Sequence, residues 1–331
     1  MTVKVTQYLR KSRSSDFSIE RVFDAIRSQM SQRCDITVWT CQEFSNGFWP
    51  RVRDMVRARS QQGDVNHITG DVHYLAFLLR RDRTVLTVHD LGILYRTAGL
   101  RRAVIRFFWF WLPVRCSRVV VAISETTRQA LIASVRCNPD KVKVIYNGVS
   151  DDFKPSPKGE FPSVPRILHV GTGENKNLLR VAEALRGIRC CLIVIGTLSE
   201  AQRRCLVVHE ITYENYVNLS GAEIVAAYEK SDLVVFASTF EGFGLPIIEA
   251  QAVGRPVITS NIMPMAEVAG DAACLVDPFS VESIRNGISH VIASVDYRNK
   301  LVRDGLANVD RFRLSAVSRE YENVYRELCG Q

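Results

Sequence analysis

Residues 240–250 read FEGFGLPIIEA, and this stretch decides the fold. It follows a short apolar run, Leu233–Ala237, whose length suits a strand with both faces covered, and it opens into residues of helical character. Gly242 and Gly244 let backbone approach a ligand closely, and Pro246 suits the first helical turn. Gly254 supplies a C-terminal stop, with Pro256 beyond it. Backbone N–H groups from Phe243 to Leu245 then point out of a helix N-terminus, where the dipole favours anions and hydroxyl oxygens. Glu241 sits just before this nest and Glu249 about one turn inside the helix. Two carboxylates so placed suit a ligand that presents vicinal hydroxyl donors.

The rest of the chain repeats the strand-then-helix pattern, the mark of βαβ units and a parallel sheet. Strands are predicted at Val3–Tyr8, Ile36–Trp39, Val65–Ile68, Thr84–Val88, Arg118–Ile123 and Val142–Tyr146. A second set is predicted at Arg166–Val170, Cys191–Ile195, Val217–Leu219, Leu233–Ala237, Val257–Thr259 and Ala273–Val276. Between the sets, residues 151–165 hold Pro155, Pro157, Gly159, Pro162 and Pro165, a linker composition. The charge balance changes at the same place, from +11 over residues 1–155 to −3 over the remaining 176. A chain of 331 residues has room for two domains of about 150 each. Leu314–Leu328 reads as a polar helix with apolar residues at helical spacing. In doubly wound domains ligands bind beyond the carboxyl ends of the strands, which is where the Glu241 segment falls.

Several chemistries are disfavoured. The nine cysteines are scattered without a Cys-x-x-Cys pair, so zinc ribbons and thioredoxin-like sites are not expected, and free thiols in a reducing cytoplasm are. The N-terminus lacks the apolar core of a signal peptide. The greasiest stretch, Phe107 to Val114, is eight uncharged residues, against about 20 for a membrane span. There is no Asp-x-Asp, no Cys/His cluster with ligand spacing and no Gly-x-Ser-x-Gly elbow. GTGENK at 171–176 holds Gly-x-Gly, but Lys176 stands where a dinucleotide fingerprint has its third glycine, and no acidic residue ends the strand near Ile195. No cofactor and no divalent metal are therefore expected.

On these residues the 240–250 segment resembles the Glu-(seven residues)-Glu signature of the family 4 retaining glycosyltransferases. The resemblance continues through HVGTGENKNLLR at 169–180, GRPVITSN at 254–261 and AEVAGDAACLVDP at 266–278. Fainter echoes are VHDL at 88–91, VAISETT at 121–127 and VIYNGV at 144–149. From the residues alone, FEGFGLP could also be a strand-to-helix turn in another α/β protein. The resemblance implies an α/β fold of the GT-B kind, with two facing Rossmann-like domains and a cleft between them. Residues 1–152, with helix 314–331 packed back, would bind the acceptor, and 153–313 the nucleoside-diphosphate sugar. It further implies that Glu249 binds the ribose and that Glu241 lies by the donor sugar. Gly242 and the amides of Phe243, Gly244 and Leu245 would hold sugar hydroxyls or phosphate. Gly171, Lys176 and Asn177 would receive the diphosphate, Lys176 countering the charge that develops on the leaving group. His89, after the strand Thr84–Val88, would contact the donor sugar, so that His89, Glu241 and Lys176 form the catalytic set. A front-face mechanism goes with the family, in which the leaving phosphate takes the acceptor proton.

The sequence departs from the family at two places. The phosphate loop reads Gly171-Thr172-Gly173-Glu174-Asn175 with no Arg, leaving Lys176 with amide donors, or Arg180 one turn later. Residues 11–20 read KSRSSDFSIE where many members carry a Gly-Gly pair. On the acceptor side, DVNHITGDVHY at 64–74 brings Thr69, Gly70 and Asp71 to a strand end, and Asp90 follows His89. His67 and His73 in this stretch read as structural. The basic, aromatic run at 101–118 fits either an interfacial helix on an anionic membrane or a core helix with its arginines reaching out to water. No nucleic-acid recognition motif accompanies the basic charge. The partners expected are a nucleotide sugar, a glycan or lipid-linked glycan, and an anionic membrane surface, for a cytoplasmic protein peripheral to the inner face of the plasma membrane. A sugar-nucleotide epimerase and a non-catalytic partner subunit are the rival readings.

Overall fold

The computed structural model describes residues 2–11, 18–31 and 33–330. The chain divides into two compact units, Met1–Gly148 with Leu314–Gln331, and Val149–Arg313. Among the described residues no helix is long and apolar enough to cross a membrane.

The first unit is built on β1 (Val3–Leu9), β2 (Cys34–Thr40), β3 (Val65–Ile68), β4 (Thr84–Val88), β5 (Val119–Ala122) and β6 (Val142–Val144). They form one sheet in the order β2-β1-β3-β4-β5-β6, parallel throughout. Its central strand β4 reads TVLTV with every residue buried, as a strand covered on both faces requires. The last helix, Leu314–Leu328, packs against this unit through Val317, Tyr321, Val324 and Tyr325, which share one face. Ser318 donates to the Ile26 carbonyl at 2.9 Å, tying it to the helix Ser18–Ser28.

The second unit holds β7 (Arg166–Val170), β8 (Cys191–Ile195), β9 (Tyr213–Tyr216), β10 (Leu233–Phe236), β11 (Val257–Ser260) and β12 (Cys274–Val276). The order is β12-β11-β10-β7-β8-β9, again parallel. Chain direction across the sheet reverses between β7 and β10. That switch point is where parallel sheets open a crevice at their carboxyl ends.

One predicted strand is corrected. Val217–Leu219 is not a strand; β9 lies just before it and pairs Leu192 with Tyr213 through Ile195 with Tyr216. β9 is an edge strand, so its half-buried Glu214 and Asn215 are tolerated where an apolar run was sought. Glu214 is held by the Tyr216 hydroxyl and then by Arg166 and Lys230, which keep its carboxyl well below the usual range, at about 2. Asn218, at φ +54°, ends the extended backbone.

The segment 101–118 turns out to have two faces. It runs as an α-helix over Gly99–Ile105, widens to π-helical backbone over Arg106–Trp111 and returns to α over Leu112–Cys116. Phe110, Pro113 and Val114 are buried, while Leu100, Val104, Phe107 and Phe108 are exposed. The π turn carries more residues than an α turn and redistributes the aromatics between the faces.

Candidate active site

The two loops that leave the sheet on either side of its switch point form the candidate site in the second unit. After β7, Gly171 takes φ +91°, and a Cβ there would lie 2.9 Å from Lys176 Cε. Glycine at this turn therefore lets the lysine stem lie against the backbone. Glu174–Lys176 form a single 3₁₀ turn, and Asn177, left-handed at φ +64°, starts the helix Leu178–Leu185. Asn177 Nδ2 donates to the carbonyls of Ala237 (2.9 Å) and Pro278 (2.7 Å), stitching this loop to the ends of β10 and β12.

The loop after β10 closes on that lysine. Lys176 Nζ is 2.6 Å from Glu241 Oε1, and the ammonium lies 4.8 Å above the Phe236 ring centre. Asn175 Nδ2 donates to the same carboxylate oxygen at 3.1 Å and to the Phe240 carbonyl at 2.9 Å. Gly244, at φ +109°, caps the helix Leu245–Val253, and Gly254, at φ +76°, ends it. Phe243 is buried edge-on against Phe312 at 5.8 Å, which fixes the turn from below. Half-buried Glu249 accepts a 2.6 Å hydrogen bond from Tyr228, whose hydroxyl pKa is raised by burial and by that carboxylate. His169, fully buried at the end of β7, is held neutral by burial and by Lys176, its pKa lowered to about 4.

The structure thus brings Lys176, Glu241 and the Gly242–Leu245 turn together, with Glu249 inside the helix that the turn begins. The Asn177 amide is engaged between loops. Arg180 donates to Asn177 Oδ1 at 2.9 Å and lies 5.8 Å from the Phe279 ring. Asn175 and Tyr228 escaped the sequence reading. Asn175 adjoins Lys176 and was within reach of it, but nothing in the sequence links Tyr228 to a residue on another helix.

In the first unit, Thr69 follows β3 and His89 follows β4. His89 Nε2 lies 2.6 Å from the Thr69 carbonyl, so that nitrogen carries the proton and donates. Thr69 is fully buried, with its hydroxyl on the Tyr8 carbonyl at 3.1 Å. A Cβ on Gly70 would meet Arg10 N at 3.2 Å, and Arg10 lies 4.0 Å from the exposed Asp71. Asp90 accepts from the Gly92 amide at 2.6 Å. His67 is fully buried between Tyr325 and Thr87, each at 2.7 Å, and burial lowers its pKa to about 3. His73 packs on the Trp109 carbonyl at 2.8 Å, with its pKa lowered chiefly by burial. Both act as core residues. Residues 12–17, within the KSRSSDFSIE stretch at 11–20, lie outside the described residues.

A cavity of about 790 Å³ opens in this unit. Leu100, Phe108 and Trp109 form part of its apolar wall, and Arg10, Arg51 and Arg101 bring positive charge. The Arg51 guanidinium stacks 4.9 Å from the Trp109 ring centre.

Residues 151–306 match the family model for glycosyl transferases group 1, and residues 22–153 match that for glycosyltransferase family 4. The O-antigen chain mannosyltransferase B of Escherichia coli is 26% identical over 272 residues, which span 75% of this chain and 71% of that protein. The O-antigen chain mannosyltransferase RfbU of Salmonella typhimurium is 25% identical over 254 residues, 74% of this chain and 69% of that one. Among solved structures, Anabaena HepE in complex with UDP and glucose aligns over 98% of this chain and 100% of its own, with a TM-score of 0.80 and 17% identity. A glycosyltransferase from Rickettsia africae covers 99% of each chain with a TM-score of 0.77 and 18% identity. At that identity the likeness shows the fold.

Proposed function

The chain belongs to the family 4, group 1 glycosyltransferases, and we propose that it moves a hexose from a UDP- or GDP-linked sugar to a glycan acceptor with retention of configuration. The observation that carries this reading is the Lys176–Glu241 pair beside the N-terminus of helix Leu245–Val253, with Glu249 inside that helix. A diphosphate needs cationic and N–H donors, a sugar needs a carboxylate and amides, and a ribose diol needs an acceptor. The first two lie on loops at one switch point, and the third in the helix that one of those loops begins. HepE's crystal structures with UDP and with UDP-glucose support a nucleotide-sugar donor, and the O-antigen mannosyltransferase relatives support a role in polysaccharide synthesis.

In the proposed reaction the bond from the anomeric carbon to the donor phosphate breaks, and the acceptor hydroxyl attacks from the same face. Its proton passes to the departing phosphate oxygen. Lys176 and the turn amides stabilise the charge on the diphosphate, the largest electrostatic demand of the step. Glu241 orients the sugar, Glu249 the ribose, and His89 serves as a sugar contact. With a lysine and amides in this role, we propose that transfer needs no divalent cation. The acceptor we assign to the first unit is lipid-linked, since its cavity joins an apolar wall to arginines.

Thermal unfolding with UDP, GDP, ADP or no nucleotide, each with and without EDTA, tests the reading. A nucleotide at 100 times its dissociation constant adds about 2.7 kcal/mol, a shift of a few degrees. One nucleotide giving that shift unchanged by EDTA is the expected result. A shift abolished by EDTA overturns metal independence, and no shift from any nucleotide points instead to a non-catalytic partner subunit.

A further inference from the structure

In the second unit a buried arginine gathers carbonyls from three segments. Arg255 is 2% exposed, and its Nε donates to the Tyr228 carbonyl at 3.1 Å while Nη2 donates to that of Glu229 at 2.9 Å. Its Nη1 donates to Val253 at 3.1 Å and to Ser156, in the linker, at 2.8 Å. Tyr228 and Glu229 belong to the last turn of helix Gly221–Lys230, and Val253 ends Leu245–Val253. Helix ends leave carbonyls without intrahelical donors, and one guanidinium with five N–H groups in a rigid fork can serve several at once. Arg255 therefore sets the spacing of the two helices. The same spacing lets Tyr228, on one, reach Glu249, on the other, at 2.6 Å. Ser231 Oγ holds the Tyr228 carbonyl as well (2.8 Å), and linker residue Phe153 packs edge-on against its ring at 5.4 Å.

We propose that Tyr228 is a positioning residue which makes Glu249 selective for a ribose diol, and that Arg255 and the linker hold Tyr228 in place for it. The inference rests on the reading of Glu249 as the ribose ligand. A glutamate side chain turns about several bonds, and ordering it on ligand arrival costs affinity. A short bond from a neutral donor to the carboxylate is of the strong, charge-assisted kind. Made before the ligand arrives, it meets that ordering cost in the folded state. A carboxylate has about four acceptor positions, and a ribose diol is a pair of hydroxyl donors. Burial raises the Tyr228 pKa, so the hydroxyl stays a donor throughout the neutral range. A nucleotide without the diol gains nothing from this arrangement.

The test is calorimetric titration of the nucleoside diphosphate that stabilises the protein in the thermal panel, beside its 2′,3′-dideoxy counterpart. Native protein should prefer the ribonucleotide. Tyr228→Phe should lower ribonucleotide affinity about tenfold, one ordered side chain's worth, and leave dideoxy affinity within twofold. A role in folding alone would weaken both nucleotides equally. Phe153→Ala should give the same selective loss, smaller, by loosening the ring and leaving the hydroxyl in place. Glu249→Ala separates the two ideas. If it erases the ribose preference and Tyr228→Phe does not reduce it, Tyr228 has no positioning role. If the preference survives Glu249→Ala, the ribose reading of Glu249 fails and the inference falls with it.

Discussion

Lys176 Nζ sits 2.6 Å from Glu241 Oε1, so the cation assigned to the diphosphate and the carboxylate assigned to the sugar are each other's partner. If those assignments hold, donor binding should exchange partners, phosphate taking the lysine and sugar hydroxyls taking the glutamate. The two residues should separate in a simple experiment. Lys176→Ala should lower kcat by about 10²–10³-fold and weaken nucleoside diphosphate binding. Glu241→Gln removes the competitor for the lysine, so it should abolish transfer and leave nucleoside diphosphate affinity equal to or tighter than native. Calorimetry beside initial rates checks both. Equal weakening of nucleotide binding in the two variants would refute the exchange.

Gly171 offers a second handle on the same lysine. Its φ of +91° and the 2.9 Å approach of Lys176 Cε to a Cβ mean that Gly171→Ala both strains the backbone and pushes the lysine. The strain alone costs about 1–3 kcal/mol. Gly187 provides the control, since it has φ +74° and a Cβ there would meet nothing within 4 Å. Gly171→Ala and Gly187→Ala should lower Tm by similar amounts, and only Gly171→Ala should lose nucleotide affinity. Equal affinity in both would mean that Lys176 does not need this turn.

What was legible in the sequence follows from what each feature depends on. Leu233–Phe236, Gly244, Pro246 and Gly254 announce a strand, a turn and a bounded helix through local backbone preferences, and the structure has them there. The Tyr213–Tyr216 strand was missed because it is an edge, where polar pairing replaces the apolar run. The Lys176–Glu241 contact follows from strand order, with β7 beside β10 across the switch point. Both residues could be picked out, but their pairing could not. Tyr228 and Arg255 were hidden for a related reason. Their roles arise from helices meeting side by side, and nothing in local spacing records which helices meet.

Acid should destabilise both units for one reason. His67 in the first and His169 in the second are neutral in the fold, with pKa values lowered from 6.5 to about 3 and about 4 by burial. Their contribution is complete above pH 6.5. As pH falls below that, the unfolded chain takes up protons that the folded chain refuses, and stability drops until the folded values are reached. At pH 5 each histidine should cost about 2 kcal/mol relative to pH 7. Unfolding at pH 5 should be accompanied by proton uptake, and His169→Leu should flatten the fall in Tm between pH 7 and 5 whatever its Tm at pH 7. An unchanged slope would mean that His169 titrates alike in both states.

The exposed face of the segment spanning Gly99–Cys116 leads to a prediction about membranes. Leu100 is 82% exposed and Phe108 52%, and Arg101, Arg102 and Arg106 lie exposed along the same stretch. Apolar side chains that insert below the headgroups, with arginines level with anionic phosphates, make an interfacial surface. The protein should sediment with vesicles containing an anionic phospholipid and not with zwitterionic ones. Each arginine near such a surface contributes about 1 kcal/mol, so the double change Arg101→Gln, Arg102→Gln should weaken binding roughly thirtyfold. Salt should weaken it too, because at 1 M the charges are screened within about 3 Å. Leu100→Ser with Phe108→Ser should weaken it without altering the salt slope, since these residues carry the apolar part alone. Binding that ignores lipid charge, or survives both double variants, would place the membrane contact elsewhere on the protein.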